Sequence, residues 1–184
     1  MSGYEIRLML YSNIETSRTV QIPKSINFKQ LHMLIQKIFG FKDYHNYEFQ
    51  IPNVNPGDEY FDLNNLKRTI GYEDTENVII SEVFDESHIV FYTYDFGDNW
   101  EIVVHKQKDI NYKNKTALIT DYTGKYNPID DMGGIFVFEE IVEAANEGDD
   151  EDLIYILDDY GLTKGDLTKM DFERKYNVGS RLRI

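Results

Sequence analysis

Two short segments of this sequence concentrate residues that could do chemistry. Tyr92-Thr93-Tyr94-Asp95-Phe96-Gly97-Asp98-Asn99-Trp100 sets two carboxylates among aromatics, and Asn127-Pro128-Ile129-Asp130-Asp131-Met132-Gly133-Gly134 sets two more ahead of paired glycines. Carboxylate oxygens are hard ligands for magnesium, manganese or calcium, and in turns they equally accept bonds from backbone N–H groups. A metal-dependent enzyme, hydrolase-like, would require the two loops to converge, with His45 supplying an imidazole nearby. A structural role needs no ligand. Asp95 and Asp98 would then bond loop N–H groups, Gly97 would take a positive φ, and Tyr94 and Trp100 would pack in the core. Asp130 and Asp131 would precede a helix N-terminus, where negative charge is favourable, and Gly133 and Gly134 would allow close backbone approach. The candidate binding residues are therefore His45, Tyr94, Asp95, Asp98, Trp100, Asp130, Asp131, Gly133 and Gly134. No cofactor is expected, and no metal ligand set is assigned.

Other chemistries lack their residues. Asp95-Phe96-Gly97 matches a kinase tripeptide, but no Gly-rich phosphate loop, strand lysine or catalytic loop accompanies it. Asp166 follows Gly165 where a phosphate loop needs Lys, and there is neither a Gly-x-Ser-x-Gly elbow nor a dinucleotide fingerprint. The acidic run around Asp149 lacks the ligand spacing of a calcium-binding helix-loop-helix. His32, His45, His88 and His105 are nowhere three or four apart, as a helical metal site would need. His32 edges a helical apolar stripe and His105 lies on the strand face opposite Trp100, so both are expected to be structural or surface residues. The absence of cysteine removes disulfides, thiol nucleophiles and thiolate metal sites.

The elements that must position the two segments follow from periodicity. Tyr4 to Tyr11 and Arg18 to Pro23 alternate as two strands around a polar turn. Asn27 caps a stripe of Phe28, Leu31, Ile35 and Ile38, with Gln30 three residues on and Gly40 past the end, which predicts a helix. Tyr47 to Ile51 reads as a strand, and Pro52 to Gly71 as a long loop. Ile89 to Tyr94 and Trp100 to His105 form a second hairpin, and Thr116 to Asp121 another strand. Two helices follow, on the stripes Ile135, Phe138, Ile141, Val142, Ala145 and Leu153, Ile154, Leu157, Tyr160, with Gly148 and Gly161 as their stops. No repeat or linker divides the chain, so residues 1–184 are expected to form one domain.

With 184 residues, 41% of them hydrophobic and 14% aromatic, the chain has enough apolar mass for a packed globule and too much for a disordered tail. The start lacks the basic and apolar runs of a secretory signal and no stretch approaches 18 apolar residues, so a cytoplasmic location is expected. The net charge of −14 is unevenly placed. Between Lys125 and Lys164 there are twelve acids and no Lys or Arg, which leaves 21 acids against 19 bases elsewhere. That segment would repel a phosphate backbone, so direct nucleic-acid binding is not expected there. It could instead dock a basic protein partner, although acids from Asp149 to Asp152 also suit the positive end of a helix.

The order of several motifs resembles the Ri-plasmid ORF-3-like family, whose members are often described as plasmid or transposon passenger proteins. The motifs are Leu31 to Phe41, His45, Phe49, Tyr94 to Trp100, and Pro128 to Gly134, and the resemblance spans from about Tyr4 to the region of Arg181-Leu182. It implies no reaction, substrate or cofactor. Against the family pattern, Phe41 replaces a Trp, Asn46-Tyr47 a Leu-His, Ile102 a His, and Ile129-Asp130 a Pro-Glu. Two of these changes delete histidines, so a histidine-based site would be incomplete here while a carboxylate site would survive.

The expected fold is α+β, with a mixed, largely antiparallel sheet, a ubiquitin-like ββαβ N-terminal half and a C-terminal helix pair. The expected function is a non-catalytic interaction or ligand-binding module, with the divalent-metal enzyme as the alternative.

Overall fold

Alternating burial builds the sheet. In β1 (Gly3–Leu10), Tyr4, Ile6, Leu8 and Leu10 face inward, and in β2 (Ser17–Pro23) Arg18, Val20 and Ile22 do the same. The two pair antiparallel from Gly3↔Pro23 to Met9↔Ser17. The computed structural model describes residues 2–53, 65–148 and 150–184.

Helix α1 (Phe28–Phe39) starts in a capping box. The Asn27 side chain accepts from the Gln30 N–H at 2.9 Å and the Gln30 side chain accepts from the Asn27 N–H at 3.1 Å. It buries Phe28, Leu31, Leu34, Ile35 and Ile38 completely and ends at Gly40 in the left-handed region. β3 (Tyr47–Pro52), β4 (Leu66–Gly71), α2 (Ile80–Phe84), β5 (Ile89–Tyr94), β6 (Trp100–Ile110) and β7 (Thr116–Thr123) follow. Then come α3 (Ile135–Glu147), α4 (Asp150–Asp159), α5 (Lys164–Met170) and β8 (Arg181–Arg183).

The strands of the described residues form one eight-stranded sheet in the order β4-β3-β5-β6-β1-β2-β7-β8. The fold is thus α+β, but each described strand pairing is antiparallel, so the sheet is not mixed. The ubiquitin-like half is not confirmed. The ββαβ order exists along the chain, yet β3 pairs with β4 and β5, while β1 lies between β2 and β6. β6 stands between the two halves, pairing with β5 along one edge and with β1 along the other.

Of the segment expected to be a loop, residues 54–64 lie outside the described residues, and Leu66–Gly71 is a strand. It is an edge strand whose Lys67, Arg68 and Thr69 are exposed, which hides its alternation. The C-terminal helix pair exists as α3 and α4, with α5 and the short β8 added to it. No helix among the described residues is long and apolar enough to cross a membrane.

Antiparallel pairing places four connections at the same end of the sheet. The β1–β2 turn, the α1–β3 loop, the β5–β6 turn and the β7–α3 loop all meet there, because Tyr47 pairs with Tyr94 and Tyr94 with Trp100.

Candidate functional site

Asp95 opens the β5–β6 turn with φ 55° and Asn99 closes it with φ 54°, both left-handed positions that Asp and Asn tolerate better than most residues. The Gly97 N–H donates to Asp95 Oδ1 at 3.0 Å, so one Asp95 oxygen serves the turn as expected. Gly97 itself is not among the positive-φ residues; the strain falls on Asp95 and Asn99 instead. The Asp95 N–H donates to the Asn46 carbonyl at 3.0 Å, which ties this turn to the loop carrying His45.

The β7–α3 loop meets the same turn from the other side. Asp98 Oδ2 accepts from the Gly133 N–H at 3.2 Å, and a Cβ on Gly134 would lie 2.8 Å from the Asp98 carbonyl oxygen. Asp98 therefore holds two loops together. Asp130 and Asp131 do not cap α3, whose N-cap is Gly134 without a side-chain bond.

Asp130 turns inward. Its Oδ2 accepts from the Lys42 N–H at 2.6 Å, while its buried Oδ1 has no hydrogen-bond partner. Burial holds this carboxyl above the usual carboxylate range, and Lys42, the Tyr94 hydroxyl and His45 pull it partly back. The Tyr94 hydroxyl also accepts from the Tyr44 N–H at 3.1 Å, one residue before His45, and burial raises its pKa. Trp100, fully buried beside Phe41, supports the turn from below, and its Nε1 makes no hydrogen bond.

The convergence falls on three other atoms. His45 Nε2 lies 3.0 Å from Asp131 Oδ1 and 3.5 Å from Asp95 Oδ2. One ligand atom from each of the three residues lies within 4.8 Å of the other two. Asp131 reaches in from a left-handed residue at φ 61°. Side-chain exposure runs from 10% at Asp95 through 30% at His45 to 67% at Asp131, so the cluster has a buried floor and an open side. Of the nine candidates, the structure brings His45, Asp95 and Asp131 together. Asp98, Asp130, Gly133 and Gly134 position the loops, and Tyr94 and Trp100 are core.

Two buried groups that hold this site were not among the candidate site residues. His32, expected to be structural or on the surface, is completely buried, bonding Tyr92 Oη at 2.8 Å through Nδ1 and Asp43 Oδ1 at 2.8 Å through Nε2. Gln36 closes the ring, donating to Tyr92 Oη at 2.9 Å and accepting from the Asp43 N–H at 2.8 Å, which fixes the loop before His45. Burial lowers the His32 pKa to about 4 against the raising effect of Asp43. Arg18, also completely buried, donates to the Ser17, Thr123 and Tyr126 carbonyls and to Asn127 Oδ1, and lies 4.1 Å from the Phe172 ring centroid. Asn127 in turn donates to the Ile38 carbonyl at 2.8 Å. A buried cation thus anchors the start of the loop that ends at Asp131. The signal was present, since Arg18 shares strand parity with Val20 and Ile22.

The family model for plasmid pRiA4b ORF-3-like protein matches residues 3–174. The "Uncharacterized protein y4hQ" of Sinorhizobium fredii is 30% identical over 133 residues, covering 69% of this chain and 64% of that relative's length. The crystal structure titled "Protein of Unknown Function MM3350 from Methanosarcina mazei Go1" is similar with a TM-score of 0.65 and 28% identity, over 85% of this chain and 88% of that one.

Proposed function

The chain belongs to the plasmid pRiA4b ORF-3-like family, and from that premise we propose that it is a ligand-binding module whose ligand is a divalent cation held by His45, Asp95 and Asp131. The observation that carries this reading is the spacing of the three ligand atoms. Around an ion with bonds of about 2.0–2.2 Å, neighbouring ligands sit about 3.0–3.5 Å apart in octahedral or tetrahedral geometry. The distances from His45 Nε2 are 3.0 and 3.5 Å. His45 Nε2 is buried and close to both carboxylates yet hydrogen-bonded to neither, as expected where a shared ion takes the lone pair.

Charge points the same way. Two carboxylates this close repel each other, and a divalent ion neutralises both where an imidazolium neutralises one. Imidazole with two carboxylates suits zinc or manganese better than calcium, which prefers oxygen alone. The exposed side at Asp131 leaves outward positions on the ion for water or a ligand oxygen. That observation favours, as a second reading, a hydrolase in which the ion activates bound water.

Thermal unfolding with manganese or zinc tests the site. An ion that binds only the folded state, at 100 times its dissociation constant, adds about 2.7 kcal/mol. For this length that raises Tm by about 5–10 °C. Asp131→Asn keeps a residue that tolerates positive φ and should abolish the rise, as should His45→Gln, whereas Glu143→Gln, exposed on α3 and outside the cluster, should keep it. No rise with either ion, or a rise that survives in Asp131→Asn, defeats the proposal. Ion-dependent turnover of a phosphate or carboxylate ester, lost in the same variants, would favour the hydrolase.

A further inference from the structure

Helices α3 and α4 present a face outside the cation site. α4 buries Leu153 and Leu157 but leaves Ile154 50% and Tyr155 67% exposed. Tyr155, half-buried Ile156 and Ala144 of α3 line a cleft between the two helices, and Tyr160 Oη bridges it by donating to Glu140 Oε2 at 2.6 Å.

The acids beside this face are placed against the stability of their own helix. Glu140, Glu143 and Glu147 are exposed at spacings of three and four and form one ridge along the cleft. Like charges at those spacings repel. Glu143 and Glu147 also approach the negative end of the α3 dipole, where the last turn has no basic residue. Apart from the Tyr160 hydrogen bond to Glu140, this ridge repels itself within its own helix. Asp150, Glu151 and Asp152 differ, because the first turn of α4 favours them.

We propose that the α3–α4 cleft docks a basic amphipathic helix of a partner protein. Its apolar side would cover Tyr155 and Ile156 above the buried Ala144, and its Lys and Arg residues would meet Glu140, Glu143 and Glu147. Charge complementarity selects this occupant. The stretch from Tyr126 to Thr163 offers no cation, so nucleic acid, an acidic helix or the same face of a second copy would meet repulsion. The exposed apolar residues require more than a diffuse cation cloud.

A synthetic amphipathic Leu/Lys helix of about five turns is the probe, followed by fluorescence anisotropy with the full chain at about 20 and about 150 mM salt. The controls are a scrambled peptide of the same composition and a Leu/Glu counterpart. Binding should weaken severalfold with salt and persist, and the scrambled and Leu/Glu peptides should bind at least about tenfold more weakly. Tyr155→Ala and the double variant Glu143→Lys, Glu147→Lys, all at exposed positions, should each weaken binding by about fivefold or more with Tm retained. Asp131→Asn should leave it unchanged. Equal binding of the scrambled peptide, or an unaffected Tyr155→Ala, would reduce the face to a solvated charge run and overturn the proposal.

Discussion

Gly134→Ala probes the junction on which the whole site depends. Gly134 has φ 84° and ψ −167°, a backbone region that is essentially glycine-only, and holding alanine there costs about 1–3 kcal/mol. The new Cβ would also lie 2.8 Å from the Asp98 carbonyl oxygen, which is backbone and cannot rotate away. Relieving that overlap means separating the β5–β6 turn from the β7–α3 loop, at a further cost of about 1–3 kcal/mol if it behaves like overpacking in a core. The central expectation is a loss of about 4 kcal/mol, or about 8–16 °C in Tm for a domain of this size. Gly148→Ala is the control, because Gly148 also has positive φ, at 77°, but a Cβ there meets nothing within 4 Å. It should lose only the left-handed penalty of about 1–2 kcal/mol. Urea unfolding followed through Trp100, the single tryptophan, reads both variants from beside the affected turn. If Gly134→Ala loses no more than Gly148→Ala, the two loops are not locked together as described. The positioning of Asp131 by that contact would then be refuted.

Trp100→Ala should destabilise by about 3–5 kcal/mol, as large aromatic truncations in cores do, and an unchanged denaturation midpoint would place the residue on a binding surface instead. His32 gives a pH dependence of definite sign. Its folded pKa of about 4 lies below the usual 6.5, so the unfolded chain binds the extra proton first; the contribution is complete above about pH 6.5 and lost as pH falls toward 4, by at most about 3 kcal/mol. Denaturation midpoints across that window should fall steeply for the wild type and less steeply for His32→Gln, and parallel slopes would contradict the buried neutral assignment.

Local signals in the sequence determined most of the elements. The Asn27 and Gln30 capping box, Gly40 at the end of α1, the two hairpins, and the stops at Gly148 and Gly161 depend on near neighbours and on periodicity, which any stretch of chain carries with it. The charge run and the two carboxylate loops were equally legible. Tertiary structure alone decided which strands became neighbours. Burial parity says that Ile6 and Val104 face the core but not that β1 and β6 adjoin, and so β3 fell beside β5 rather than completing a ubiquitin-like half.

The division of labour among the carboxylates was decided in the same way. Asp95, Asp98, Asp130 and Asp131 are equivalent as residue types in polar turns. Asp98 is committed to Gly133, Asp130 is drawn inward to Lys42, and only Asp95 and Asp131 face His45. Those assignments depend on distances between loops about 35 to 85 residues apart, set by the register of an antiparallel sheet and by buried groups such as Arg18 and His32 that anchor its ends. Residue type supplied the chemistry available to the chain, and packing chose which atoms of it meet.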